Sequence, residues 1–395
     1  MATMLSEGRL GPHVTRNRFV RAGTSETMAT ARGEPTPALA ALYAELARAG
    51  TAVVTTGHLH CHPRGQYARR QTGIHRDELI PSLGGLADAA HRHGALAVAQ
   101  IAHAGSQSRI PDRAPLAPSP VANALTGRPV GEASEEEIQE AVAAFAAGAR
   151  RAIAAGFDGV HIHGANGYLI SEFSSPVTNR REDAWGGSAR RRDRFAVEVV
   201  RAVRAEVPED RSLTMKLGMV DAVAGGLGLQ ETIPRARRLV AEGIDAVEVS
   251  CNVMRRATDS AKQYVAVDRR RAAEDWLPHR LYRPAAPEAY FVPWARALRS
   301  EVDTTIIAVG GLRRTQTMDR VLSAGDADFI ALARPLIREP DLVGQIAGGR
   351  AGHVACTSCN LCLMHEGHHS LRCWRTPRRR LAAHAAYRLL GGFGR

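Results

Sequence analysis

His161-Ile-His-Gly-Ala-Asn-Gly-Tyr168 follows the apolar run Phe157 to Val160, and it precedes Ser174-Ser-Pro-Val-Thr-Asn-Arg-Arg181 and Trp185-Gly-Gly-Ser188. The run reads as a buried strand. The octapeptide then places an imidazole, a carboxamide and a phenol at the strand's end. Such neutral donors can hold a carbonyl oxygen and deliver a proton. In α/β proteins, strand ends are where such groups face a ligand. Taken alone, the stretch also fits a turn whose polar residues only cap the next helix.

Similar short apolar runs recur along the chain at Arg18 to Ala22, Ala52 to Thr56, Leu96 to Ile101, Gly159 to His163, Leu213 to Leu217, Ala246 to Ser250, Thr305 to Val309 and Phe329 to Ala333. Most end in Gly or polar residues, as buried parallel strands do. Helical patterns lie between them. Ser134-Glu-Glu-Glu137 forms a capping box that opens a helix reaching about Ala155. Arg190 to Val207 is amphipathic, with Phe195, Val199, Val200 and Val203 on one face. Pro37 to Ala49, Ile80 to His93, Glu231 to Glu242 and Thr315 to Ala324 supply further helices.

Eight strands alternating with helices predict an α/β fold, a (β/α)8 TIM barrel with loop insertions and a short C-terminal Cys-rich extension. An open doubly wound sheet is the alternative. It is disfavoured because no Gly-x-Gly-x-x-Gly follows the first strand. The expected divisions are a barrel over 1–350, a Cys-rich segment over 351–375 and a basic tail over 376–395. Two insertions follow strand ends and are expected to overhang the catalytic face. Residues 107–132 are Pro-rich, whereas 251–292 are polar with Tyr264, Trp276, Tyr282 and Tyr290.

The 395 residues carry 52 Lys+Arg against 40 Asp+Glu, and hydrophobic residues make up 45% of the chain, enough for a large core. Arginine supplies most of the positive charge, which could attract phosphorylated ligands or acidic partners. No groove-reading module is visible, and only 5% of residues are aromatic, so a nucleic-acid partner is not expected. No apolar run approaches the roughly 20 residues that span a bilayer. Without a secretory leader pattern, a reducing cytoplasm is the expected compartment.

Several separated blocks together resemble the Old Yellow Enzyme family of FMN-dependent oxidoreductases, in the branch of 2,4-dienoyl-CoA reductase and trimethylamine dehydrogenase. They are Asn17-Arg-Phe-Val-Arg-Ala-Gly-Thr24, Thr55-Thr-Gly57, Gln100-Ile-Ala-His-Ala-Gly105, the opening octapeptide with its tail, Ala308-Val-Gly-Gly311 and Ala331-Leu-Ala-Arg-Pro335. The resemblance covers roughly residues 8–350, and it implies the same barrel with FMN bound at the strand ends. Gly310 and Gly311 allow close backbone approach to a phosphate, and Ala333 and Arg334 complete that end. Gln100 offers a donor and an acceptor to a flavin edge. Lys216 is a cation in an apolar run. It is expected either to face the flavin N1–C2=O edge or to form a salt bridge inside the barrel. Thr24 or Ser25 is expected near the flavin C4=O/N5 region, and Gly57 close to the ring. Ser106 stands where the family usually has Arg.

The resemblance further implies that His163 and Asn166 hold the carbonyl of an activated alkene, that hydride arrives from flavin N5, and that Tyr168 protonates the α-carbon. The expected substrate is a small unsaturated carbonyl compound. His161, two residues before His163, is expected on the same face as an interior group. The amine-dehydrogenase branch places Tyr and His where His163 and Asn166 stand here. An FMN-dependent amine or betaine dehydrogenase or demethylase is therefore the alternative.

Cys356, Cys359, Cys362 and Cys373 suit a [4Fe–4S] cluster, as in iron–sulfur members of the branch, with zinc or free thiols as alternatives. His365, His368 and His369 lie between them. His58, His60 and His62 could share one side of an extended segment, facing substrate or, less expectedly, a metal. Long relatives continue into FAD- and NAD(P)-binding domains, whereas this sequence ends about 20 residues after Cys373. The expected electron donors are NAD(P)H, a separate reductase or ferredoxin. The basic tail could dock an acidic carrier or lie as a solvated helix. A homo-oligomer remains open.

Overall fold

The computed structural model describes residues 2–123, 126–253 and 288–392. Eight parallel strands form the barrel: β1 (Phe19–Arg21), β2 (Val53–Thr55), β3 (Leu96–Ala102), β4 (Gly159–Gly164), β5 (Ser212–Val220), β6 (Ala246–Cys251), β7 (Thr305–Ala308) and β8 (Phe329–Leu332). Each pairs with its sequence neighbours, and β8 pairs with β1 through Ile330↔Phe19 and Leu332↔Arg21. The sheet is therefore closed, and the open doubly wound alternative falls.

Alternation along the strands sorts the side chains. Val160 and Ile162 of β4, Leu213, Met215 and Leu217 of β5, and Val247 and Val249 of β6 join the helices in the main hydrophobic core. Each fully buried side chain of this size contributes about 1.5–3 kcal/mol relative to exposure. The intervening residues face inward. At the N-terminal end of the barrel these are Val20, Val98, Ala246, Ile307 and Phe329, packed with Leu10 in a second cluster. Leu10 belongs to an antiparallel hairpin, Gly8–Leu10 with His13–Thr15, which the sequence reading did not anticipate. Further along the same strands the inward positions become polar: Gln100, His161, His163, Thr214, Lys216, Glu248 and Ser250, all buried.

The helices match the expected pattern, including the capping box at Ser134 and Glu137, which opens α3 (Glu135–Ala154) after α1 (Pro37–Arg48) and α2 (Ile80–His91). The predicted helix over 190–207 is two pieces, Ala189–Arg192 and Arg194–Glu206. A helix over Val292–Arg299, which begins where the polar insertion ends, was not expected. Tyr264, Trp276 and Tyr282 lie outside the described residues.

Residues 174–188 are largely scaffold. Asn179 Nδ2 donates to the carbonyls of Phe173 (2.7 Å) and Trp185 (2.8 Å), and Arg181 pins the Pro-rich insertion through the Pro118 carbonyl (3.0 Å). After the barrel, the chain returns across its C-terminal face. The Leu371 N–H donates to the Glu26 carbonyl (2.9 Å), and Thr27 Oγ1 donates to the His369 carbonyl. A basic helix, Arg378–Leu389, follows. No helix among the described residues is long and apolar enough to cross a membrane.

Candidate active site

A cavity of about 150 Å³ opens at the C-terminal ends of the strands, walled by Gly23, Asn166, Lys216, Ser250, residues 309–313 and residues 331–335. Gln100 approaches this wall from inside the barrel. A Cβ on Gly23 would come within 2.5 Å of Gln100 Oε1, so only glycine allows that approach. Gln100 Nε2 is buried without a hydrogen-bond partner among the described residues. An unpaired buried amide is costly, so a ligand acceptor fits there.

Lys216 forms the salt bridge inside the barrel that the sequence allowed, its Nζ ion-paired with buried Glu248. It also lines the cavity. Glu248 also lies 3.4 Å from His161 Nε2, while His161 Nδ1 contacts Thr214 Oγ1 at 2.7 Å. His161 is thus an interior group. Burial, with Lys216 nearby, pushes it well below the ordinary histidine range, so it is neutral. Glu248 went unnoticed in the sequence, although a lone carboxylate in Ala246-Val-Glu-Val-Ser-Cys was the available signal.

Gly310 (φ +99°) and Gly311 (φ +71°) adopt the left-handed backbone that the turn requires. The Tyr290 ring lies across the pair, and its hydroxyl accepts from Arg334 Nη2 at 3.1 Å. The cavity wall includes Ala333 and Arg334 but not Thr24, Ser25 or Gly57. Thr24 Oγ1 instead accepts from Arg21, which also holds Glu26 at 2.7 Å. Glu26 Oε1 in turn accepts from the Gly57 N–H (3.1 Å) and Tyr43 Oη (2.7 Å). This buried network fixes the β1 and β2 ends beside Gly23.

His163 and Tyr168 come together, with ring centroids 4.7 Å apart. Asn166, at φ +61°, lines the cavity, where its Oδ1 accepts from Ser250 Oγ at 3.2 Å. His163 Nδ1 is buried with no hydrogen-bond partner among the described residues. Burial, reinforced by His58 and Lys216, holds this imidazole neutral. Burial, with Tyr67 and Glu366, drives the Tyr168 phenol well above its ordinary value, although Arg109 opposes this. Both groups therefore carry protons at neutral pH.

Three residues that sequence reading missed complete this corner. Tyr67 packs against Tyr168 (5.9 Å), Gln71 hydrogen-bonds His58, and Glu366 of the Cys-rich segment reaches within 4.0 Å of His58 Nε2. His58 itself contacts Tyr168, with ring centroids 5.4 Å apart. Its neighbours diverge: His60 stacks on His75 (4.4 Å) and His62 on His103 (5.8 Å). The three do not converge on a metal.

The four cysteines line one small cavity with Arg334, Arg338 and Arg375. None of the four forms a disulfide, and Arg338 Nη1 lies 3.9 Å from Cys373 Sγ. Among the described residues no three His, Cys, Asp or Glu groups are close enough to hold a metal ion. Burial first, then the neighbouring thiols, pushes Cys362 up to about 12.

This barrel, with an amide, a glycine pair and an arginine around one cavity, is matched over residues 9–353 by the NADH:flavin oxidoreductase / NADH oxidase family. The chain belongs to that family. The resemblance read from the sequence therefore holds, and members of the family are FMN-dependent oxidoreductases. The chain is 33% identical over 375 residues to 4,4'-dithiodibutanoate disulfide reductase of Rhodococcus erythropolis, covering 91% of this chain and 92% of that protein. It is 31% identical over 363 residues to NADH oxidase of Thermoanaerobacter brockii, covering 91% of this chain and 53% of that protein. The solved structure of 2-naphthoyl-CoA reductase with 2-naphthoyl-CoA superposes with a TM-score of 0.84 at 25% identity, covering 98% of this chain and 58% of that one. The chain thus spans little more than half the length of the latter two.

Proposed function

We propose that this chain reduces an activated C=C bond conjugated to a carbonyl, using FMN. The observation that carries the reading is the buried, unpartnered Nδ1 of a neutral His163 beside the protonated Tyr168. FMN, when bound, supplies the hydride. Gln100 would hold it by the carboxamide, Gly310, Gly311, Ala333 and Arg334 would hold its phosphate, and Lys216 would compensate its charge. His163 donates to the substrate carbonyl oxygen and stabilises the developing enolate. Asn166 would share the hydrogen bonding of that carbonyl oxygen. Tyr168 gives its proton to the α-carbon. The buried site keeps both donors neutral, which suits proton donation at neutral pH.

NAD(P)H is the electron donor that the family supports, and a reductase or ferredoxin is the alternative. We assign the four cysteines to a [4Fe–4S] cluster. Four thiols around one cavity, ringed by three arginines, support an anionic group there.

The deciding experiment is anaerobic. Purified enzyme reduced with NAD(P)H should be reoxidised by an enone, and Tyr168→Phe should slow that step by about 10²–10⁴-fold. Bleaching of the oxidised flavin by an amine, with no response to enones, would favour the dehydrogenase alternative and end this reading. Iron with sulfide, rather than zinc, is the expected metal content.

A further inference from the structure

Tyr168 is held by a chain of groups whose hydrogens can be assigned. The Tyr67 backbone N–H can only donate, and its partner is Gln71 Oε1 at 2.6 Å. That fixes the amide, so Gln71 Nε2 is the end facing His58, 2.8 Å from its carbonyl oxygen and 2.8 Å from its Nδ1. Both Gln71 hydrogens are thus used, and His58 Nδ1 accepts one of them. A neutral His58 must then carry its proton on Nε2. That nitrogen lies 3.3 Å from Tyr168 Oη and 4.0 Å from Glu366 Oε1. His58 is only 7% exposed and Tyr168 5%, so water competes little for this bond.

We propose that His58 is the positioning residue for Tyr168. Its Nε2–H donates to the phenolic oxygen, which leaves the phenol's own proton free to point into the site. It also stabilises the phenolate that remains after that proton leaves. In the step itself, the Tyr168 O–H bond breaks, a C–H bond forms at the substrate α-carbon, and the enolate charge passes to the Tyr168 oxygen. His58 keeps its proton throughout, and water later reprotonates the phenolate. Glu366 makes this donor necessary, because its carboxylate disfavours a phenolate nearby. His58 Nε2–H is the polar hydrogen between the two oxygens. The segment that carries the cysteines thereby reaches the proton donor, with Glu366 only four residues after Cys362.

The inference rests on Tyr168 being the proton donor, and the test separates the two claims. In holoenzyme, His58→Leu should lower kcat for enone reduction by about 10- to 100-fold, the worth of one hydrogen bond to a charged oxygen. KM should stay unchanged, the solvent isotope effect should rise, and the Tyr168 titration should move upward. His58→Gln, which keeps an N–H donor, should recover most of the loss. Nitrogen NMR of wild-type enzyme should show His58 protonated on Nε2 and not on Nδ1, whether or not the leucine variant folds. A Tyr168→Phe enzyme of undiminished activity would overturn the proton-donor reading. A crippled Tyr168→Phe beside a His58→Leu of normal kcat and isotope effect, or an Nδ1-protonated His58, would overturn this one.

Discussion

Glu172 shows how one substitution in a family pattern changes local chemistry. Ser106 stands where the family resemblance leads one to expect arginine, and its hydroxyl and N–H bond the Glu172 carboxyl. Burial outweighs those two bonds and raises Glu172 to about 8, so the folded protein keeps it protonated at neutral pH. The unfolded chain titrates it near about 4.3. Between those values the native state binds the extra proton, so stability falls as pH rises, by about 1.4 kcal/mol per unit at most, and levels off above about 8. The depressed buried histidines act below about 6.5, with the opposite slope. Glu172→Gln should therefore flatten the fall in urea midpoint between pH 6.5 and 8, and parallel curves for the two proteins would refute this. Lys216 and Glu248 behave differently because each depends on the other. Glu248→Gln leaves a buried ammonium uncompensated and should cost about 3–5 kcal/mol without flavin. The loss should be smaller once FMN is added, as urea midpoints with and without FMN would report. Equal losses would mean that Lys216 does not serve the flavin.

At the scale of elements, the strand ends and helix starts carry separable loads. Gly310 sits at φ +99°, and a Cβ there would come within 2.6 Å of the Tyr290 ring and 2.7 Å of Phe291. Gly310→Ala should destabilise by about 1–3 kcal/mol and weaken FMN binding, measurable by thermal unfolding and flavin titration. The capping box of α3 lies far from that chemistry. Ser134→Ala should cost about 1 kcal/mol and leave turnover unchanged.

For the molecule as a whole, the barrel closes through β8 and β1 without the segment after residue 350. That segment is fastened to the barrel face near Glu26 and Thr27, and it also presents Glu366 to His58. On the proposed cluster assignment, Cys359→Ser should release iron and loosen this fastening, lowering the melting temperature while the barrel's circular dichroism persists. A variant that keeps its iron, or loses the whole fold together, would contradict this division of labour.

The sequence by itself determined the barrel, its eight strands, the capping box and the family. Strand composition, spacing and local caps are one-dimensional signals, set by backbone propensity and by alternate burial. It also named His163, Tyr168, Gln100 and the four cysteines. Only the tertiary structure decided which of these meet. Lys216 found Glu248 across a strand pair, Asn166 met Ser250 at the cavity wall, and Tyr290 came to rest on the glycine pair. His58, held by Gln71, and Glu366 reached Tyr168 from two places distant in the chain. No pattern of spacing encodes that convergence, because closing the barrel sets those distances, and hydrogen-bond direction then assigns each proton.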